Sequence, residues 1–158
     1  MINDAKTFCR LFYSSTFLPI SYCHYETSDI IAFPFCMDHF SPRFLTFQKN
    51  PDYFVSDSHG YYGFVESPEH DYCLILGPVF STSVTEDIIH TFMREWAIGS
   101  EYRVKIAQFL QTIPSLTFQQ FLNTLSYLYF CLNDKPISLT EHFRPADESS
   151  SRKMKPEL

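Results

Sequence analysis

Glycine and tryptophan are scarce, with four residues and one respectively, and the four glycines are not grouped as a phosphate-cradling loop requires. There is no G-x-S-x-G elbow and no H-E-x-x-H pair, so the common hydrolase and metalloprotease signatures are missing. Positive charge is also short. Twelve Lys and Arg face eighteen Asp and Glu, and a net charge of -6 leaves no basic face with which the chain would grip nucleic acid by itself. Long apolar runs are missing, which excludes a membrane-spanning helix, and MINDAKTFCR carries no secretion-signal core, so a soluble, cytoplasmic protein without membrane partners is expected. The five cysteines, Cys9, Cys23, Cys36, Cys73 and Cys131, are odd in number, scattered and free of any CxxC pair, which predicts reduced thiols and no structural disulfide.

What the chain has in quantity is apolar and aromatic surface: 45% of its 158 residues are hydrophobic and 18% are aromatic. That fills one core, and with only 19% charged residues it excludes wholesale disorder. The two halves differ. Residues 1–80 carry nine acids against four bases, eighteen Phe and Tyr, and three of the four glycines among six prolines, which reads as a sheet cut by turns. From Ser83 to Leu132 the apolar spacing becomes helical. One domain over residues 1–135 is expected, sheet-rich over 1–80 and helical over 81–135, with 136–158 as a linker or tail.

Phe8, Leu11 and Phe12 lie at helical spacing behind Asn3 or Asp4 as N-cap, so a short helix is expected over Asp4 to Ser15. Phe17 to His24 reads as a strand, with Leu18, Ile20, Tyr22 and His24 on one face, Ser21 and Cys23 on the other, and Pro19 at its start or at a sheet edge. Thr27 to Asn50 is ambiguous and has room for a short helix near Pro42 to Gln48. The clearest hairpin pairs Gly60–Glu66 with Tyr72–Val79 across Ser67-Pro68-Glu69-His70-Asp71. Its second arm is apolar on both faces and belongs in the centre of the sheet, with Pro78 ending the ladder for want of an N–H. Two capping boxes open helices, Ser83-Val84-Thr85-Glu86 and Thr117-Phe118-Gln119-Gln120; Gly99 ends the first helix and Pro114 a second that starts at Ser100.

Candidate chemistry divides three ways. Cys36-Met37-Asp38-His39 with Cys23-His24 offers soft ligands but lacks a second well-spaced pair, so buried thiols and loop histidines are preferred to a metal site. Cys73 near His59 or His70 has the residue types of a thiol nucleophile, yet in the apolar run YCLIL it should be inert; no catalytic role and no cofactor is expected. The third reading is a pocket on the aromatic sheet: Tyr62, Phe64 and Glu66 share one strand face, Tyr22 and His24 another, Tyr72 and Leu74 a third, and His59 sits in a turn at the mouth. The plain alternative is tyrosines capping a packed core. Trp96, Tyr127 and Phe130 widen the helical stripes and suggest a self-association face.

Residues 72–79 (YCLILGPV), the capped helix behind them, and Ile113-Pro114-Ser115-Leu116 followed by FQQFLNTLSYLYFCLNDKPI resemble the N-terminal sensor region of AraC-type transcriptional regulators, particularly Gram-positive ones, along roughly the whole chain. The resemblance implies an effector-sensing, dimerising domain for a small molecule, a homodimer, and DNA binding only through a helix-turn-helix part outside this chain. The expected fold is α+β, an antiparallel sheet flanked by helices in the manner of PAS or GAF sensors with a C-terminal helical segment. The alternatives are a dimerisation module without ligand and a small thiol- or metal-dependent enzyme.

Overall fold

The computed structural model describes residues 4–27, 30–34 and 52–135. The first helix, α1 (Ala5–Thr16), starts where Asp4 accepts the Thr7 amide at 3.1 Å, and stops at Phe17, whose φ of 59° turns the chain out of the helix. Phe17 is therefore a helix terminator rather than the first strand residue. Pro19 precedes β1 (Ile20–His24), and its carbonyl accepts from the Gly77 amide at 2.9 Å. β2 (Ile30–Phe33), β3 (Tyr53–Val55), β4 (Tyr61–Glu66) and β5 (Tyr72–Val79) complete one antiparallel sheet of order β2-β1-β5-β4-β3. The fold is α+β, as expected, and β5 is its central strand, since its apolar residues need cover on both faces.

The expected hairpin forms between β4 and β5, but Pro78 does not end the ladder. A bulge lies between the Tyr61↔Val79 and Gly63↔Leu76 pairs, and Gly77, at φ 130°, supplies a backbone conformation that a side chain would strain. The residue without an N–H falls inside the bulge, where no ladder bond is required of it.

The helical half holds α2 (Glu86–Glu95), a single 3-10 turn at Ser100–Tyr102, α3 (Arg103–Thr112) and α4 (Phe118–Asn133). Thr117 and Gln120 make the expected reciprocal capping box. The other box does not form: Thr85, not Ser83, caps α2 by accepting from the Ile88 amide at 3.3 Å. Nor does Gly99 end that helix. Ala97 takes the left-handed conformation at φ 55°, with its N–H on Arg94 O and the Ile98 N–H on Met93 O, so the chain has already turned two residues earlier.

Alternation gives the sheet two distinct faces. The front face carries Ile20, Tyr22, His24, Gly63, Val65, Leu74 and Leu76, and packs against α1 and α4: Lys6 Nζ lies 5.7 Å from the Tyr22 ring centroid, and Leu125 lies over Gly63. The back face carries Ser21, Cys23, Phe54, Tyr62, Phe64, Cys73 and Ile75, and Trp96 meets the Tyr62 ring edge-on at 5.6 Å. Buried residues from both halves of the chain join in one continuous core.

Candidate functional site

The expected sheet pocket separates into two groups. Tyr22, His24, Tyr72 and Leu74 do come together, because β1 and β5 pair with Tyr22 opposite Leu74 and His24 opposite Tyr72. Tyr22 and Tyr72 rings lie 5.0 Å apart, and Leu74 is fully buried. Tyr62, Phe64 and Glu66 belong to the opposite face, since Phe64 pairs with Ile75 and Glu66 with Cys73. No single face cavity takes side chains from both sets, because neighbouring residues of a strand point to opposite sides. His59 is exposed in the turn between β3 and β4 at φ 65°, with its N–H on Ser56 O.

Each group has a local role. Tyr62 stacks on Phe54 at 4.8 Å, is wholly buried, and has its phenol pushed up by that burial, with the Glu95 charge adding to the effect. Burial, then the neighbouring Asp71, pushes Tyr72 up to about 12, so it offers a neutral hydroxyl at physiological pH. Glu66 accepts from the Tyr25 hydroxyl at 2.9 Å, pairs with His70 across the hairpin turn, and its carbonyl accepts from Asn133 of α4 at 3.3 Å. It ties the end of β4 to two neighbouring segments.

The open space lies elsewhere. A groove of about 510 Å³ runs between α1 and α4, walled by Phe8, Leu11, Phe12, Leu18 and Tyr127, with Ser15, Thr16, Asn123 and Thr124 supplying polar groups. Thr16 and Thr124 spend their hydroxyl protons on Phe12 O and Gln120 O of their own helices, both at 2.8 Å. Asn123 Oδ1 accepts from Gln119 Nε2 at 3.0 Å, so Ser15 and the Asn123 side-chain N–H groups remain to meet a guest, and among the described residues no charged side chain lines the walls. Such walls suit an uncharged, mostly apolar molecule.

Of the three residues expected at a self-association face, Tyr127 and Phe130 are exposed, at 56% and 49%, on the outer side of α4. Trp96 is not available. It is 5% exposed and packed between Tyr62 and Phe92, so its width served the core. The groove's other exposed wall, Leu11 at 55%, belongs to the first helix and was legible only as one more apolar residue at helical spacing.

Among the described residues no three His, Cys, Asp or Glu side chains gather as a metal site would need, and the Cys36 to His39 set, like the helix expected near Pro42 to Gln48, lies outside the described residues. Cys9, Cys23, Cys73 and Cys131 are in the reduced thiol form. Burial pushes Cys9 up to about 12. Among the described residues no helix is long and apolar enough to cross a membrane. Comparison with protein-family models, curated proteins and solved structures finds no match to this chain.

Proposed function

We propose that this chain is the effector-sensing and dimerising domain of a bacterial transcription regulator of the AraC type, with DNA binding residing outside it. The observation that carries the reading is the α1/α4 groove. Its volume falls in the range of small-molecule sites, roughly 300–1,000 Å³, and its walls come from the first and last described helices. A sheet centred on its last strand and flanked by helices supports the PAS- or GAF-like arrangement, an argument from architecture alone.

The site differs from the expected one. The effector lies between two helices on the front of the sheet rather than against the tyrosines of the sheet itself. Binding there changes the spacing of α1 and α4, and α4 packs on β4 through Leu125 and Gly63, so ligand and helix position are linked. The ligand acts through its different affinity for two arrangements of α4, and a dimer contact through Tyr127 and Phe130 reads that difference. This is a binding domain and not an enzyme; the burial of Cys9, which pushes its thiol up, supports that assignment.

A native mass spectrum of the purified chain, set against its denatured mass, tests the proposal. A dimer carrying a small adduct that is lost on denaturation is the expected result. A bare monomer that stays bare and monomeric in a bacterial metabolite extract would overturn it, and a bare dimer indifferent to that extract would leave a dimerisation module in its place.

A further inference from the structure

Cys23 and Cys73 stand directly opposite one another in the β1–β5 ladder, and both are 1% exposed. The Tyr25 N–H donates to Asp71 O and the Gly77 N–H to Pro19 O, each at 2.9 Å, which fixes the phase of the ladder. Counting by twos between those bonds makes Cys23 and Cys73 a closely hydrogen-bonded pair, whose Cα atoms lie about 5.5 Å apart in an antiparallel sheet. A disulfide spans Cα separations of about 4.4–6.8 Å, so the backbone spacing admits one, with the facing Cβ atoms, about 4.5–5.5 Å apart in such a pair, drawing together toward the roughly 3.5–4.5 Å the bond needs. The pair lies one position in from the His24–Tyr72 end of the β1–β5 register, and ladder ends open before their centres.

The surroundings are unlike those of an isolated core thiol. The Cys23 and Cys73 thiols interact with one another, and that interaction draws Cys23 below its ordinary value while holding Cys73 well above its own. Tyr25 packs beside Cys73 with its hydroxyl on Glu66. Ser21, on the same face two residues before Cys23, has a wholly buried hydroxyl with no hydrogen-bond partner among the described residues. A buried hydroxyl left unpaired is costly, and this one can donate to an oxygen that enters beside the sulfurs.

We propose that Cys23 and Cys73 form a redox-active dithiol that a small peroxide oxidises to a disulfide between β1 and β5. The Cys23 thiolate attacks one oxygen of hydrogen peroxide; the S–O bond forms as the O–O bond breaks, and the departing hydroxide takes a proton to become water. The Cys73 sulfur then attacks the Cys23 sulfenic acid, the S–S bond forms as the S–O bond breaks, and the second hydroxide leaves as water with the proton of Cys73. The two sulfurs lose two electrons and the peroxide gains them. A dithiol reductant reverses the change by exchange. This site is separate from the helix groove and stands or falls without it.

The test treats the purified wild-type chain with hydrogen peroxide, denatures it, blocks remaining thiols with N-ethylmaleimide, and maps chymotryptic peptides, which separate Cys23 from Cys36. The expected product is a Cys23–Cys73 cross-link, about 2 Da lighter than the reduced pair and reversed by dithiothreitol. In Cys73→Ser the resolving thiol is gone, so Cys23 should instead be trapped as a sulfenic acid by dimedone. If Cys131 or another thiol is oxidised while Cys23 and Cys73 are recovered alkylated, or if either pairs with a different cysteine, the proposal is overturned. That readout needs no variant to fold.

Discussion

Gly63 of β4 lies directly beneath Leu125 of α4: a Cβ added to the glycine would come within 2.8 Å of the leucine Cγ and closer still to its methyl groups. The last described helix seats itself on the sheet at the one place where the strand has no side chain.

Gly63→Ala therefore forces α4 away from β4 and should cost about 1–3 kcal/mol, the usual range for overpacking a filled core. Urea denaturation with an unchanged m-value checks it. Gly99→Ala is the control: its φ is an ordinary -64°, and the added carbon meets only the flexible side chain of exposed Glu101, so its midpoint should barely move.

The helix starts give a second prediction, because two caps of similar sequence behave differently. Thr117→Ala removes the acceptor for the Gln120 amide and should cost about 1 kcal/mol. Ser83→Ala should leave stability unchanged, since Thr85 holds the cap of α2, and Thr85→Ala should cost about as much as Thr117→Ala. Thermal melts of the three variants check the order.

Glu95 predicts a pH dependence. Its carboxylate accepts from the Asp57 amide and the Ser58 hydroxyl, both at 3.0 Å, yet burial wins and holds its pKa above the ordinary value. A carboxyl raised in the folded state binds its proton more tightly there than in the unfolded chain. Its contribution to stability is thus largest below the ordinary glutamate range, and is lost as pH rises from that range through the raised value. Glu95→Gln should remove that component of the pH–stability curve. An identical curve in the variant would show that Glu95 does not carry it.

How far the residues foretold this arrangement follows from what periodicity can encode. The apolar run from Tyr72 to Val79 announced a strand covered on both sides, and it is the central strand. Within β4 and β1 the alternation was also readable: Tyr62 shares a face with Phe64, and Tyr22 with His24. What alternation does not carry is the relation between strands. Whether Tyr62 and Tyr22 meet depends on register, and a single residue of slip reverses the answer. The bulge at Gly77 and Pro78 is such a slip, and it was hidden because proline reads as a stop. The groove was less legible again, since it lies between helices far apart in sequence, and Leu11 and Tyr127 look like ordinary stripe residues until α1 and α4 are set side by side.

The two outer faces of α4 permit the proposed sensing and dimerising roles to be separated. Leu11 lines the groove and belongs to α1; Phe130 is exposed on α4 and does not line the groove; Tyr127 does both. Leu11→Asp places a charge in an apolar wall and should abolish the adduct in the native mass spectrum while the dimer persists. Phe130→Ser should weaken the dimer and spare the adduct, because exposed aromatics of this kind count mainly when a partner covers them. Tyr127→Ser should reduce both. Sedimentation velocity over a dilution series, run beside the native spectra, separates the two readouts. If Leu11→Asp and Phe130→Ser instead change adduct and dimer together, the groove and the association face are one surface, and the adduct is held between two copies rather than within one.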